Sequence, residues 1–143
     1  LLFYTGLTRK SDIILSDQKK HMAINHEILL QMKKQVSQMR TVLESEEDLD
    51  IIGKFLNKAW DLKRKLSKKI TNPEIERMYR NALKNGALGG KICGAGGGGF
   101  LMLYVPREHQ NSIRKAMQEY REFPFMLNES GSKIMFNSGS GGF

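Results

Sequence analysis

The chain has 143 residues and a mass of 16.3 kDa, the size of one ordinary domain. Hydrophobic residues make up 40% and charged residues 27%, enough apolar material for a packed core and too much for a disordered chain. A single cysteine, Cys93, excludes a disulfide framework and a cysteine-based zinc site and fits a reducing cytoplasm, and no apolar run approaches the roughly 18–20 residues of a membrane span.

The chain opens on the apolar run Leu1-Leu2-Phe3-Tyr4. It has neither the basic start nor the small-residue cleavage site of a secretory signal. The expectation is a piece of a longer protein that begins at a strand, Leu1 to Thr5, closed by Gly6. A long helix is expected from Ser11–Gln18 to about Leu43. Its apolar positions Ile24, Ile28, Met32, Val36, Met39 and Leu43 follow one face of a 3.6-residue period. An acidic break at Glu44–Asp50 precedes a helix opened by Ser45 or Glu46, where acids suit the positive end of the dipole. It uses Ile52, Phe55, Leu56, Ala59, Leu62 and Leu66 and ends near Lys69.

Thr71-Asn72-Pro73-Glu74 is a helix start, with Asn72 as cap and Pro73 where a missing N–H is harmless. Ile75, Met78, Tyr79 and Ala82 face inward, and Asn85-Gly86 stops this helix. The stretch from Gly86 to Gly99 is too glycine-rich to suit an element interior. Phe100–Val105 is an apolar, β-prone strand ended by Pro106, which opens a helix carrying Ile113, Ala116, Met117 and Tyr120 on one side. Phe123–Asn128 and Lys133–Phe136 are expected as two short strands joined by Glu129-Ser130-Gly131-Ser132. The domain therefore spans 1–136, and 137–143 is a flexible Gly/Ser tail. The element order predicts an α+β fold of ferredoxin-like plan, with a roughly four-stranded antiparallel sheet and helices packed on one face.

Net charge is +8, and Asp61 to Ile70 holds five bases and one acid. Such a stretch suits either a solvated helix face or a docking patch for phosphates, nucleic acid or an anionic surface. No aromatic interleaves with the lysines, so no base-stacking platform is written there. His21, His26 and His109 have no ligand spacing with acids and read as surface residues. The eight methionines fall mostly on apolar helix positions and read as core filler.

The strongest local signal is Gly94, Gly96, Gly97, Gly98 and Gly99. Each glycine loses about 0.5–1 kcal/mol more backbone entropy than alanine on ordering. A chain that keeps five ordered glycines needs bare backbone there. Either N–H groups reach a ligand, or another segment comes very close. A dinucleotide fingerprint follows a strand and opens a helix, whereas here a helix precedes and a strand follows. A Walker A loop needs Lys and Ser/Thr where Phe100-Leu101 stand. Cys93, beside the loop, reads as a small packing residue rather than a nucleophile.

Gly86-Ala-Leu-Gly-Gly-Lys-Ile-Cys-Gly-Ala-Gly-Gly-Gly-Gly-Phe100, running into a hydrophobic strand and Val105-Pro106, resembles the third motif of the GHMP kinases. That superfamily includes galactokinase, homoserine kinase, mevalonate kinase and phosphomevalonate kinase. Tyr4-Thr5-Gly6-Leu-Thr-Arg9-Lys-Ser11 and Ser132-Lys-Ile-Met-Phe136 also match. The wording is most like that of the D-glycero-D-manno-heptose 7-phosphate kinases.

The resemblance implies the C-terminal domain of a two-domain, cytoplasmic, ATP- and Mg2+-dependent sugar kinase. Its expected acceptor is a heptose 7-phosphate, on the route to a surface-polysaccharide or lipopolysaccharide precursor. Galactokinase-like and mevalonate-kinase-like enzymes are the alternatives. The phosphate loop, catalytic Asp and magnesium ligand belong to an N-terminal domain and are absent from this sequence, so the fragment alone is expected to be inactive. The resemblance makes Gly94, Ala95, Gly96, Gly97, Gly98 and Gly99 the loop lining the phosphate and substrate cleft. It makes Thr5 and Arg9 substrate-binding, with Lys91 a possible phosphate contact and no metal ligand. Expected partners are the N-terminal domain, ATP and the sugar phosphate, with no nucleic acid and no membrane. A loop at the cleft edge predicts that Gly97→Val damages activity and leaves the thermal midpoint nearly unchanged. The rival reading is a basic module that binds nucleic acid or protein, which leaves the glycines unexplained.

Overall fold

A computed structural model describes residues 1–45, 48–127 and 131. The order is β1 (Leu2–Tyr4), α1 (Ser11–Lys20), α2 (His26–Glu44), α3 (Asp50–Lys63), α4 (Pro73–Lys84), β2 (Gly89–Ile92), β3 (Phe100–Tyr104), a 3-10 turn (Arg107–His109) and α5 (Gln110–Ala116). The strands form one antiparallel sheet in the order β1-β3-β2.

Phe3 and Ile92 both pair with Leu101, and cross-strand partners share a face of the pleat. All three are buried, together with Trp60, Ile75, Met78, Ile113 and Met117. The core therefore gathers one face of the sheet with α4, α5 and the end of α3. Asn72 is extended, and its Oδ1 accepts the Ile75 N–H at 3.0 Å. That bond satisfies a donor the helix leaves unpaired and sets where α4 begins.

Several expectations are corrected. The helix expected from Ser11 to Leu43 is two helices, broken at residues 21–25. Asn25 is buried there, and its side-chain amide donates to the Leu66 carbonyl at 2.9 Å. The break turns α2 so that Gln35 is its buried residue, while Ile24 and Val36 stand 81% and 70% exposed. The next helix begins at Asp50, where Asp48 Oδ1 accepts the Asp50 N–H, rather than at Ser45; Glu46 lies outside the described residues. It ends at Lys63 instead of near Lys69. Leu66, Ser67 and Ile70 are buried in the turns that follow, where a continued helix would point some of them to solvent.

Gly89–Ile92 is a strand although it lies inside the stretch read as unsuited to an element. Its glycine has a packing reason. A Cβ on Gly89 would overlap the Gly53 carbonyl oxygen and approach the Asn57 nitrogen to 2.7 Å. The α3 backbone thus lies directly against β2, and only bare backbone fits between them.

Among the described residues the sheet has three strands, not four. The expected strand at Phe123–Asn128 is reduced to a bridge between Glu122 and Phe3, with the Phe123 N–H bonded to the Leu2 carbonyl. Pro124 has no N–H to continue the ladder, and Phe125, Met126 and Leu127 are exposed. Phe123 instead packs edge-on against Phe100, with ring centroids 5.1 Å apart. The expected strand Lys133–Phe136 and the tail 137–143 lie outside the described residues.

Candidate active-site wall

The connection from β2 to β3 is the glycine loop, and the body of the domain grips it at several points. The Gly97 N–H donates to the Ile70 carbonyl at 2.7 Å and the Gly99 N–H to the Leu7 carbonyl at 2.8 Å. Gly97 has φ +75° and Gly96 φ +113°, a left-handed region that L side chains rarely enter. A Cβ on Gly96 would come within 2.8 Å of the Ile70 oxygen, and one on Gly97 within 2.8 Å of Ile14 Cδ1. Close approach of another segment, one of the two reasons for bare backbone, therefore holds at both positions.

The loop's carbonyls are held as well. Thr5 is buried; its hydroxyl donates to the Gly99 carbonyl at 2.9 Å and its N–H to the same oxygen at 2.9 Å. The Asn72 side-chain amide donates to the Gly97 carbonyl at 3.3 Å. Lys63 Nζ donates to the carbonyls of Gly94 and of Ile92, the latter at 3.2 Å. Burial and the neighbouring Lys91 charge push the Lys63 amine down to about 8. By contrast, the N–H groups of Gly94, Ala95, Gly96 and Gly98 have no acceptor among the described residues. With the Gly94, Gly97 and Gly99 carbonyls tied back, the loop presents amide donors with partial positive charge, an arrangement suited to an oxyanion.

Thr5, Arg9 and the glycine loop come together. The Arg9 stem passes the loop, with its Cγ 3.4 Å from where a Gly97 Cβ would stand, and the residue is exposed. The Thr5 hydroxyl is occupied by the loop, so its observed part is to hold Gly99. Lys91 is elsewhere. It borders an apolar groove between α2 and α3, beside Met32, Met39 and Phe55. Cys93 is exposed, and its N–H closes the sheet end on the Phe100 carbonyl at 2.9 Å.

The basic stretch is largely committed within the chain. Besides Lys63, Arg64 pairs with Asp61 and with Glu76, the latter at 2.9 Å, and Lys69 pairs with Asp17 at 3.1 Å. Asp17 also accepts the Ser67 hydroxyl, and these two partners hold its carboxyl below the usual range. This cluster fastens α1 to the segment whose Ile70 carbonyl receives the glycine loop. Among the described residues, no three of His, Cys, Asp and Glu gather as a metal-binding group. No helix among them is long and apolar enough to cross a membrane.

Reading the residues in order points to Thr5, Arg9 and the glycines but passes over Lys63, Leu7, Ile14 and Ile70. Lys63 looks like any other base of its cluster. Its 29-residue separation from Ile92 leaves no local mark.

The chain is thus an α+β domain with a small antiparallel sheet and a glycine loop between two of its strands. Residues 32–122 match the family described as GHMP kinases C terminal, and the chain belongs to that family. It is 28% identical over 137 residues to the D-glycero-alpha-D-manno-heptose 7-phosphate kinase of Campylobacter jejuni, an alignment covering 93% of this chain and 40% of the relative. It is 28% identical over 112 residues to the galactokinase of Candida parapsilosis, covering 76% and 22%. The mevalonate kinase of L. major, solved with R-mevalonate, superposes with a TM-score of 0.70 at 24% identity, covering 82% of this chain and 37% of that one. That likeness supports the fold. The chain spans two fifths or less of the length of each of these three proteins.

Proposed function

We propose that this chain is the C-terminal domain of an ATP-dependent small-molecule kinase whose acceptor is a sugar phosphate of the heptose 7-phosphate type. The observation that carries the reading is the polarity of the glycine loop. Three of its carbonyls, at Gly94, Gly97 and Gly99, are tied inward, and the N–H groups of Gly94, Ala95, Gly96 and Gly98 are left without acceptors among the described residues. Phosphoryl transfer needs mainly positioning and stabilisation of charge on the moving oxygens. Preorganised amides supply both without reorganising at the moment of reaction. ATP and Mg2+ are the co-reactants, held mostly by an N-terminal domain outside this chain. Arg9, exposed beside the loop, is the residue for the acceptor's phosphate, because a guanidinium can take two of its oxygens at once.

The test is made on the longer protein that contains this chain. ATP-dependent phosphorylation is measured with heptose 7-phosphate, galactose and mevalonate, which separates the sugar-phosphate reading from the galactokinase-like and mevalonate-kinase-like ones. Arg9→Ala is expected to raise KM for the sugar phosphate by at least about 10-fold while KM for ATP moves little. The 143-residue chain alone is expected to transfer no phosphate. Phosphorylation by the chain alone, or an Arg9 effect confined to ATP, overturns the assignment. A nucleic-acid role is not proposed, since Lys63, Arg64 and Lys69 are engaged within the chain.

A further inference from the structure

The two halves of the glycine loop are held by different means. From Gly96 to Gly98 the backbone is wedged against Ile70, Ile14 and Leu7, so packing alone restricts it. At Gly94 there is no such packing. A Cβ built there meets no heavy atom within 4 Å, the residue is exposed, and φ is +73°. What meets this end is Lys63, from the last turn of α3, donating to the carbonyls on both sides of Cys93. A lysine in a last helical turn ordinarily serves that helix's own free carbonyls or solvent. Lys63 instead crosses to the start of the loop.

We propose that Lys63 orders the leading half of the glycine loop, Cys93 to Ala95, and is thereby a positioning residue for the phosphoryl-transfer site. The second part rests on the function proposed above; the first does not. By holding the Ile92 and Gly94 carbonyls, Lys63 selects the turn in which the Gly94, Ala95 and Gly96 amides stay together as one set of donors. Lys91 on β2 and Cys93 in the loop are the ionisable neighbours that act on its charge. Charged or neutral, the amine keeps at least two N–H donors, so the clamp does not need a particular protonation state.

Amide hydrogen exchange on the chain tests the clamp. In Lys63→Met the Cys93 amide is expected to exchange at least about 10-fold faster, while Gly99, held by the wedged half, and the α4 amides change by less than about 3-fold. Lys63→Arg, which retains donors of similar reach, is expected to restore most of the protection. Lys65→Met, an exposed neighbour, should leave it as it was. Unchanged Cys93 exchange in Lys63→Met overturns the proposal. So does an arginine variant no better than methionine, or equal acceleration of Gly99 and α4. If Lys63→Met does not fold, Lys63→Gln is judged against Lys63→Arg by the same criteria. In the longer protein, Lys63→Met should lower kcat at least about 10-fold with KM for the acceptor nearly unchanged. Loop loosening without any kinase activity sinks the proposed function and spares the clamp. Activity in a variant with an intact loop sinks the clamp alone.

Discussion

Gly97 is buried at φ +75°, and a Cβ there would stand 2.8 Å from Ile14 Cδ1 and 3.0 Å from the Lys69 oxygen. Gly94 has nearly the same φ, +73°, and open space around it. The pair separates two costs that usually come together. Gly94→Ala should lose only the left-handed backbone penalty, about 1–2 kcal/mol. Gly97→Ala adds displacement of Ile14 and of the 66–70 segment and should lose about 2–4 kcal/mol. Urea unfolding with unchanged m values measures both, and equal losses would show that contact at Gly97 counts for nothing. Gly97→Val is accordingly expected to lower stability as well as activity, which corrects the cleft-edge expectation. The residue has two attachments to the body, its N–H on Ile70 and its carbonyl on Asn72.

At the scale of elements, the contact of α3 with β2 depends on Gly53 and Gly89 facing one another. A Cβ on Gly53 would lie 2.5 Å from Leu88 Cβ and 2.9 Å from Tyr104 Cδ1. Gly89→Ala must therefore push the helix backbone off the strand. The expected loss is about 3 kcal/mol or more, read by urea unfolding, with a weakened near-ultraviolet signal from buried Trp60 at the end of α3. Native stability and spectrum in that variant would mean that the helix slides freely on the sheet. Elements differ in how far the sequence reveals them. The start of α4 was legible because a cap and its proline act over three residues, Asn72 to Ile75. The break between α1 and α2 was not, because Asn25 finds its partner 41 residues away at Leu66. The apolar period across residues 24–43 is real, yet the face it marks is only partly the buried one.

For the molecule as a whole, the pH dependence of stability follows from which groups folding perturbs. The Lys63 amine sits at about 8 in the folded protein and at the ordinary 10.5 in an unfolded chain. Between those values the unfolded state binds more protons, so this group raises stability as pH increases. Tyr79, pushed up to about 12 by burial, acts in the opposite direction above about pH 10, where the unfolded phenol ionises first. The unfolding free energy of the wild type relative to Lys63→Met should therefore grow from about pH 8 to about pH 10. A constant difference across that range would mean that Lys63 remains as solvated as in the unfolded chain.

The sequence by itself determined the α+β class, the capped helix, the apolar strand Phe100–Tyr104, and a glycine loop that had to be bare for a reason. Each of these is written in neighbouring residues, through periodicity, capping or the absence of a side chain. Only the tertiary structure decided which reason holds at which glycine: Gly89 for a helix backbone, Gly96 and Gly97 for the 66–70 segment and Ile14, Gly94 for the turn that Lys63 meets. It also decided that three of five clustered bases are engaged within the chain. A side chain's type sets what it can bond, but its partner is chosen by whichever distant segment the packed core brings within about 3 Å.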